Sequence, residues 1–164
     1  MSVRPILVVA ALASAAIAAC SGPSASTSSA PSPAPSPAAT SSAASTKTST
    51  WDGVFTTAQA QHGASLFAST CNKCHGPAAA GSTDDGGRLV GKEFFEKYDG
   101  VTLDQVFTAI YTLMPLDHPK TLATKDVADI TAYLLQQNQM PAGSMPLSDS
   151  PAQLKALTIS ATKP

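Results

Sequence analysis

The sequence predicts an all-α domain of four or five short helices. Apolar residues recur at intervals of three and four over several stretches between residues 56 and 138, which is the spacing of one helix face. Two of these stretches open with a threonine followed three residues later by a glutamine, the pattern of an N-terminal capping box. We find no convincing alternation of apolar and polar residues of the kind that marks a strand, and no internal repeat.

The first helix is predicted to begin after Thr56, with Gln59 completing the capping box, and to run to about Thr70. Its apolar face consists of Ala60, Gly63, Ala64 and Phe67, with Leu66 at the margin. A glycine inside a helix costs about 1 kcal/mol relative to alanine. Gly63 therefore indicates a place where another segment packs closely against this helix.

Two further helices are predicted after a glycine-rich loop that extends from residue 76 to residue 87. A short one runs from Gly91 to Tyr98, and its three aromatic residues are expected to face inward. The next begins at the second Thr/Gln pair, Thr102 and Gln105, and must end before Pro115. Its apolar side consists of Leu103, Val106, Phe107, Ile110 and Tyr111.

The last long helix is predicted from about Thr124 to about Asn138, where Pro141 and Gly143 follow. Its apolar stripe consists of Val127, Ile130, Tyr133 and Leu134. Ser150 followed by Pro151 is typical of an N-cap with proline at the first helical position, so a short final turn is predicted over 151–157.

The first 19 residues are typical of an export signal. Arg4 precedes an apolar run that ends at Cys20 and is too short to span a bilayer comfortably. The residues around Cys20 resemble a bacterial lipobox, which would make Cys20 the lipidated first residue of the mature protein. Plain secretion and a buried helix are the alternatives, but the composition that follows disfavours the helix.

Residues 20–50 are predicted to be the lipidated cysteine and a flexible linker. From residue 21 onward they are almost wholly Ser, Thr, Ala, Pro and Gly, with Lys47 the only charged residue. Such a segment has too few large apolar side chains to offset the entropy of ordering. A flexible chain of about 30 residues reaches roughly 30 Å.

The remaining residues, 51–164, suit one small domain, with a C-terminal extension from about residue 146. They contain eight Lys or Arg and eleven Asp or Glu, so the predicted domain carries a small net negative charge. No basic stripe is present, and nucleic-acid binding is excluded as a function.

The segment Cys71-Asn72-Lys73-Cys74-His75 is the CxxCH pattern of covalent attachment of a c-type haem. The two thiols form thioethers to the haem, and the imidazole of His75 becomes the proximal ligand of the iron. A zinc site would need further ligands, and no second cluster of them exists. A thioredoxin-like motif would need a βαβ context, which is missing.

Residues 51 to about 145 resemble a class I monohaem cytochrome c domain. The matching features are Gly63 and Phe67, the CxxCH segment with Gly76, the run 89–94, Met114-Pro115 and Tyr133. The resemblance implies a cytochrome c-like fold of four to five short helices around one covalently attached haem. It also implies that the first and last helices cross at close range. The segments 51–55 and 117–119 further resemble cytochromes that accompany quinoprotein dehydrogenases.

A six-coordinate haem needs a second axial ligand, and the chain offers three methionines after the CxxCH segment, each followed by proline. We predict Met114, because it lies between two predicted helices, where the family places its ligand loop. Met140 and Met145 lie beyond the last long helix and would have to fold back across the haem. His118 and His62 remain as further alternatives.

The second ring nitrogen of a proximal histidine is usually held by a backbone carbonyl, which raises the basicity of the ring. The family commonly supplies that carbonyl from a proline, and the matching position here is Gly87. We predict that Gly87 serves in its place. Arg88 and Lys92 are candidates to meet the haem propionates, although a solvent-exposed position is favoured for both.

The expected function is one-electron transfer by a periplasm-facing bacterial lipoprotein, without enzymatic activity of its own and with a mild preference for the outer membrane. The resemblance implies a quinoprotein dehydrogenase as donor and a terminal oxidase or another cytochrome as acceptor. Two alternatives stay open. One is a five-coordinate haem enzyme or small-ligand sensor, and the other is an electron-transfer subunit of a dehydrogenase complex.

Overall fold

The computed structural model describes residues 47–82 and 87–163. The predicted signal segment, Cys20 and the predicted linker up to residue 46 lie outside these residues. Among the described residues, no helix combines the length and the apolar character that crossing a membrane requires.

Six α-helical segments make up most of the described part of the chain. They are α1 Thr57–Thr70, α2 Asn72–His75, α3 Lys92–Tyr98, α4 Leu103–Leu113, α5 Thr124–Gln137 and α6 Pro151–Leu154. One-turn 3₁₀ helices cover Thr50–Asp52 and Pro77–Ala79. Within the described ranges the only β pairing is two isolated bridges from Thr158, to Ser49 and to Thr102. The all-α prediction is confirmed.

Helix α1 begins where the sequence predicted, but its cap is only half of a capping box. The hydroxyl of Thr56 accepts a hydrogen bond from the backbone N–H of Gln59 at 3.2 Å. The Gln59 amide does not return to Thr56. It instead donates to the carbonyl of Leu147 at 3.0 Å and accepts from the Leu147 N–H at 2.7 Å, thereby joining α1 to the C-terminal segment.

Helix α4 begins at the predicted residue, yet the predicted capping box at Thr102 is wrong. The Thr102 side chain makes no capping hydrogen bond to the helix backbone. Its hydroxyl donates to the carboxylate of Asp104 and accepts from the side-chain amide of Gln105. Because the hydroxyl is occupied by these two side chains, the Gln105 N–H bonds to the carbonyl of Thr102 instead.

Helix α5 is the central element of the fold. The sequence predicted one apolar stripe, whereas every residue from Val127 to Leu135 is buried, including Asp129 and Thr131. Helix α1 packs along α5, and α4 also contacts it. Because neighbours cover α5 on more than one side, its polar residues are buried along with its apolar ones.

The close crossing of α1 and α5 occurs at Gly63. A β-carbon there would meet the carbonyl carbon of Asp129 at 2.4 Å and the backbone nitrogen of Ile130 at 3.0 Å. Real β-carbons do not approach backbone atoms so closely, so only glycine fits without a shift of the two helices. The predicted reason for this glycine is confirmed.

Helix α6 ends at Leu154, three residues earlier than predicted. The segment that follows it runs between two other parts of the chain. The Leu157 carbonyl accepts from the N–H of Leu103 at 2.9 Å. Thr158 bonds to Thr48 at 2.9 Å and to Thr50 at 3.1 Å. These bonds need extended backbone, which explains the early end of the helix. Leu147, Leu154 and Ile159 are buried in the main core.

Candidate functional site

The CxxCH segment forms a single helical turn that follows α1 almost directly. Cys71 closes α1 by donating its N–H to the carbonyl of Phe67 at 2.8 Å. The N–H of His75 then bonds back to the carbonyl of Cys71 at 2.9 Å, which defines the turn of α2. Cys71, Cys74 and His75 all line one cleft as a result.

This cleft has a volume of about 350 Å³ and mostly apolar walls. It is bounded by α1, α2, α3, α4 and α5 and by the segment that follows α4. The apolar residues that line it include Phe67, Leu89, Phe94, Tyr98, Val106, Ile110, Ile130 and Leu134. The structure therefore gathers the two cysteines and the histidine in one concave apolar site.

The imidazole of His75 is fixed by the loop that returns past it. Its Nδ1 lies 2.9 Å from the carbonyl oxygen of Gly87, so the ring donates its Nδ1 proton to that oxygen. This is the hydrogen bond that was predicted for the Gly87 carbonyl. This bond makes Nε2 the unprotonated nitrogen, which is the one able to bind a metal.

Both thiols are free in the described part of the chain. Burial, with a smaller contribution from the neighbouring Cys74, raises the pKa of Cys71 to about 11. The Cys71 thiol is therefore neutral at neutral pH, and neither cysteine is committed to a disulfide.

The three methionines after the CxxCH segment have different surroundings. Met114 caps the C-terminal end of α4 and lines the cleft together with Pro115. Met140 is 3% exposed and belongs to the main hydrophobic core. Met145 is 64% exposed. Of the three, only Met114 lines the cleft that contains His75.

The two other histidines do not line the cleft. His118 is exposed and pairs with the neighbouring Asp117 at 3.3 Å. His62 lies on α1 and bonds to Asp129 through Nδ1 at 2.7 Å. Neither residue is among those that surround His75.

The cationic side chains that line the cleft are not the two that the sequence suggested. Arg88 and Lys92 are exposed and face Glu93 and Glu96, respectively, in agreement with the favoured prediction. Lys73 and Lys97 line the cleft instead. Sequence reasoning missed both, although Lys73 lies inside the CxxCH segment, which was a usable signal.

A second, more open depression of about 630 Å³ lies between α1, α5 and the C-terminal segment. It contains His62, Lys125 and Asp129 and no cysteine or methionine. Burial raises the pKa of the Asp129 carboxyl, but hydrogen bonds from Lys125 and His62 outweigh it, so the net pKa is lowered. The charged side chains of this depression already form ion pairs with one another, which distinguishes the depression from the cleft.

Residues 58–134 match the family model described as cytochrome C oxidase, cbb3-type, subunit III. Comparison with curated protein sequences gives no significant match. A solved structure, the sulfane dehydrogenase SoxCD from Paracoccus pantotrophus, is 26% identical with a TM-score of 0.48. The alignment covers 60% of this chain and 52% of the other, so this chain spans about half the length of that one.

The residues of the cleft fit a covalently attached haem c. The cleft supplies two free thiols for thioether bonds and an imidazole whose Nε2 is left for the iron. It also supplies the thioether of Met114 and apolar walls for the porphyrin. This donor set is the one expected for haem c with its iron, and it does not resemble a closed tetrahedral zinc site.

Proposed function

We propose that the monohaem c-type cytochrome domain of this chain is an electron carrier in which His75 and Met114 are the axial ligands of the iron. The observation that carries the proposal is the shared cleft: Cys71, Cys74, His75 and Met114 line the same apolar cavity. No other described methionine lines that cavity.

Bound haem c supplies the exchange of single electrons between ferrous and ferric iron. The protein contributes the surroundings. Cys71 and Cys74 attach the group, and the Gly87 carbonyl keeps the His75 ring in one tautomer and raises its basicity. The thioether of Met114 is a weak, soft donor, so it favours ferrous iron more strongly than a second imidazole would. Apolar walls keep water away and limit the reorganisation that accompanies a change of charge.

Optical spectra of the ferric and ferrous holoprotein test the ligand assignment. We expect a low-spin ferric spectrum with a sulfur-to-iron charge-transfer band, and Met114→Ala should abolish this band. Met145→Ala is the matched control, because its side chain is exposed outside the cleft, and it should leave the band intact. A Met114→Ala spectrum that matches the wild type would exclude Met114 as a ligand.

The competing function is a five-coordinate haem enzyme or small-ligand sensor. It predicts a high-spin ferric spectrum and ready binding of CO in the wild-type protein. The carrier predicts slow CO binding in the wild type and ready binding only after Met114 is replaced. Wild-type protein that binds CO as readily as Met114→Ala would favour the sensor or enzyme.

We propose a respiratory setting for the carrier, with a quinoprotein dehydrogenase as electron donor and a terminal oxidase or another cytochrome as acceptor. The match to a family described as an oxidase subunit supports the oxidase end of this path. The test is reduction of the holoprotein by a quinoprotein dehydrogenase and its reoxidation by membranes. A dehydrogenase that co-purifies in fixed ratio with this chain would instead favour a permanent subunit.

We propose further that the domain is held in the cell envelope as a lipoprotein through Cys20, facing the periplasm, with the outer membrane preferred. The segment from Cys20 to about residue 46 would then act as the tether, because Thr48 and Thr50 are already bonded to Thr158 within the domain. Cys20→Ser should move the holoprotein from the membrane fraction to the soluble periplasmic fraction without changing its optical spectrum. Unchanged fractionation would exclude the anchor.

A further inference from the structure

Asn138 is a buried polar residue just beyond α5 whose side chain is fully hydrogen-bonded. It is 3% exposed. Its Nδ2 donates to the carbonyl of Leu89 at 3.0 Å and to that of Leu134 at 2.8 Å. Its Oδ1 accepts the N–H of Gly91 at 2.9 Å. An amide has two N–H donors and one oxygen, so both donors and the acceptor are used.

Two of these three partners belong to the segment 87–91, which connects the cleft to α3 and contains no helix or strand. Leu89 is held on both sides, because its N–H also donates to the carbonyl of Ala79 at 2.9 Å. Asn138 thus fixes the backbone of this segment from the far end of α5.

Gly87 lies two residues before Leu89 and is exposed. A β-carbon at residue 87 would find no atom within 4 Å. Yet its carbonyl oxygen must stay 2.9 Å from Nδ1 of His75 to keep the hydrogen bond. Within 87–163, the next residue after Gly87 whose backbone is held by hydrogen bonds is Leu89, and the side chain that holds the Leu89 carbonyl is Asn138.

We propose that Asn138 is a positioning residue for His75. By holding Leu89 and Gly91 it keeps the Gly87 carbonyl on the ring Nδ1–H, and so sets the donor strength of the imidazole toward iron. Hydrogen bonds to the second nitrogen of a histidine ligand raise its basicity, and such bonds tune haem potentials. The inference rests on the proposed function in one respect, namely that His75 is the proximal ligand.

The test compares Asn138→Ala with wild type in the ferric and ferrous holoprotein. NMR measures the exchange of the His75 ring N–H with solvent deuterium, and redox titration measures the reduction potential. We expect exchange to be faster by about tenfold, the effect of losing roughly one hydrogen bond. The potential should become more positive, because a weaker imidazole donor stabilises ferric iron less.

Val127→Ala is the control for general loss of stability. Val127 is buried in α5, the helix that ends at Gln137, and its 11-residue separation from Asn138 corresponds to about 16 Å along a helix. It should lower stability while leaving ring exchange and potential at wild-type values. If either readout of Asn138→Ala stays at its wild-type value, or if Val127→Ala shifts both readouts equally, Asn138 is not a positioning residue.

Asn138→Leu provides the test if Asn138→Ala does not give folded holoprotein. A leucine side chain has a similar volume and can neither donate to Leu89 nor accept from Gly91, so both readouts should shift in the same directions. Failure of the proposed function is recognised separately in the wild type. If the NMR signal of the His75 ring N–H is not shifted by the iron, His75 is not a ligand, and both proposals are overturned. If that signal is shifted by the iron but its exchange is the same in Asn138→Ala as in wild type, only the proposal about Asn138 is overturned.

Discussion

Gly63 and Asp129 approach each other so closely that a β-carbon on residue 63 would lie 1.8 Å from the carbonyl oxygen of Asp129. We expect Gly63→Ala to destabilise the holoprotein by about 3 kcal/mol, because the added methyl group must push α1 away from α5. Denaturant unfolding followed by the haem absorbance measures the loss. A change below about 1 kcal/mol would mean that the helix pair adjusts freely.

The same substitution at Gly87 should act in the opposite direction. Gly87 does not have a positive φ angle, and a β-carbon there meets no atom within 4 Å. We expect Gly87→Ala to stabilise the protein by about 0.4–1 kcal/mol by restricting the unfolded chain. The optical spectrum should be unchanged, because the backbone carbonyl that faces His75 is kept. Destabilisation would show that residue 87 needs a conformation that alanine resists.

Gln59 should control the attachment of the C-terminal segment. Its side chain makes both hydrogen bonds to the backbone of Leu147, so Gln59→Ala leaves two backbone groups without their partner. We expect a loss of about 2 kcal/mol. Gln59→Ala should accelerate hydrogen exchange at the Leu147 amide more than it accelerates exchange at the amides of α5. Gln61→Ala is the control, since Gln61 is an exposed residue of the same helix, and it should change neither quantity.

The ion pair of Asp129 predicts a defined loss of stability in acid. Burial raises the pKa of this carboxyl, and the hydrogen bonds from Lys125, His62 and Gln59 more than reverse the effect, so the folded-state pKa lies below its usual value. A group with a lowered pKa contributes stability that is fully present above its unfolded pKa. That stability is lost as the pH falls toward the folded-state value.

Lys125→Met tests this pH dependence, because it removes the 2.6 Å bond to Asp129. Unfolding free energies measured from pH 6 down to pH 3 should fall less steeply in Lys125→Met than in wild type. Lys155→Met is the control, since Lys155 forms no ion pair in the described part of the chain. Parallel curves for wild type and Lys125→Met would exclude a contribution from the pair.

Met140 is expected to stabilise the core and not to bind the iron. It is buried among the apolar residues of the main core, and its replacement leaves a cavity. We expect Met140→Ala to cost about 2–5 kcal/mol while keeping the sulfur-to-iron band. Loss of the band in a folded Met140→Ala holoprotein would transfer the ligand assignment from Met114 to Met140.

Local patterns predicted much of this fold. The start of α1 after Thr56 and the end of α4 before Pro115 follow from capping and from the missing N–H of proline, both of which act over a few residues. Cys71, Cys74 and His75 share one turn, so their proximity is also a local property. Thr102 shows the limit of such reasoning, because its hydroxyl found side-chain partners where the pattern predicted a backbone one.

Contacts between distant residues were not predictable in the same way. Two of the three partners of the Asn138 side chain lie 47 and 49 positions away, and Leu147 lies 88 positions from Gln59. An amide side chain carries no signal for which carbonyl it will meet. The burial of Asp129 was missed for a similar reason, since a charged residue off the apolar stripe is expected on the surface until a second helix covers it.

The pairing of Thr158 with Thr48 and Thr50 brings the two ends of the described domain side by side. A domain whose ends meet can be inserted into a surface loop of another protein without stretching its host. Its order can also be rearranged by joining the ends and opening the chain elsewhere, for example between the exposed residues Asp117 and Lys120. This architecture is that of a portable module, suited to being exchanged among larger polypeptides.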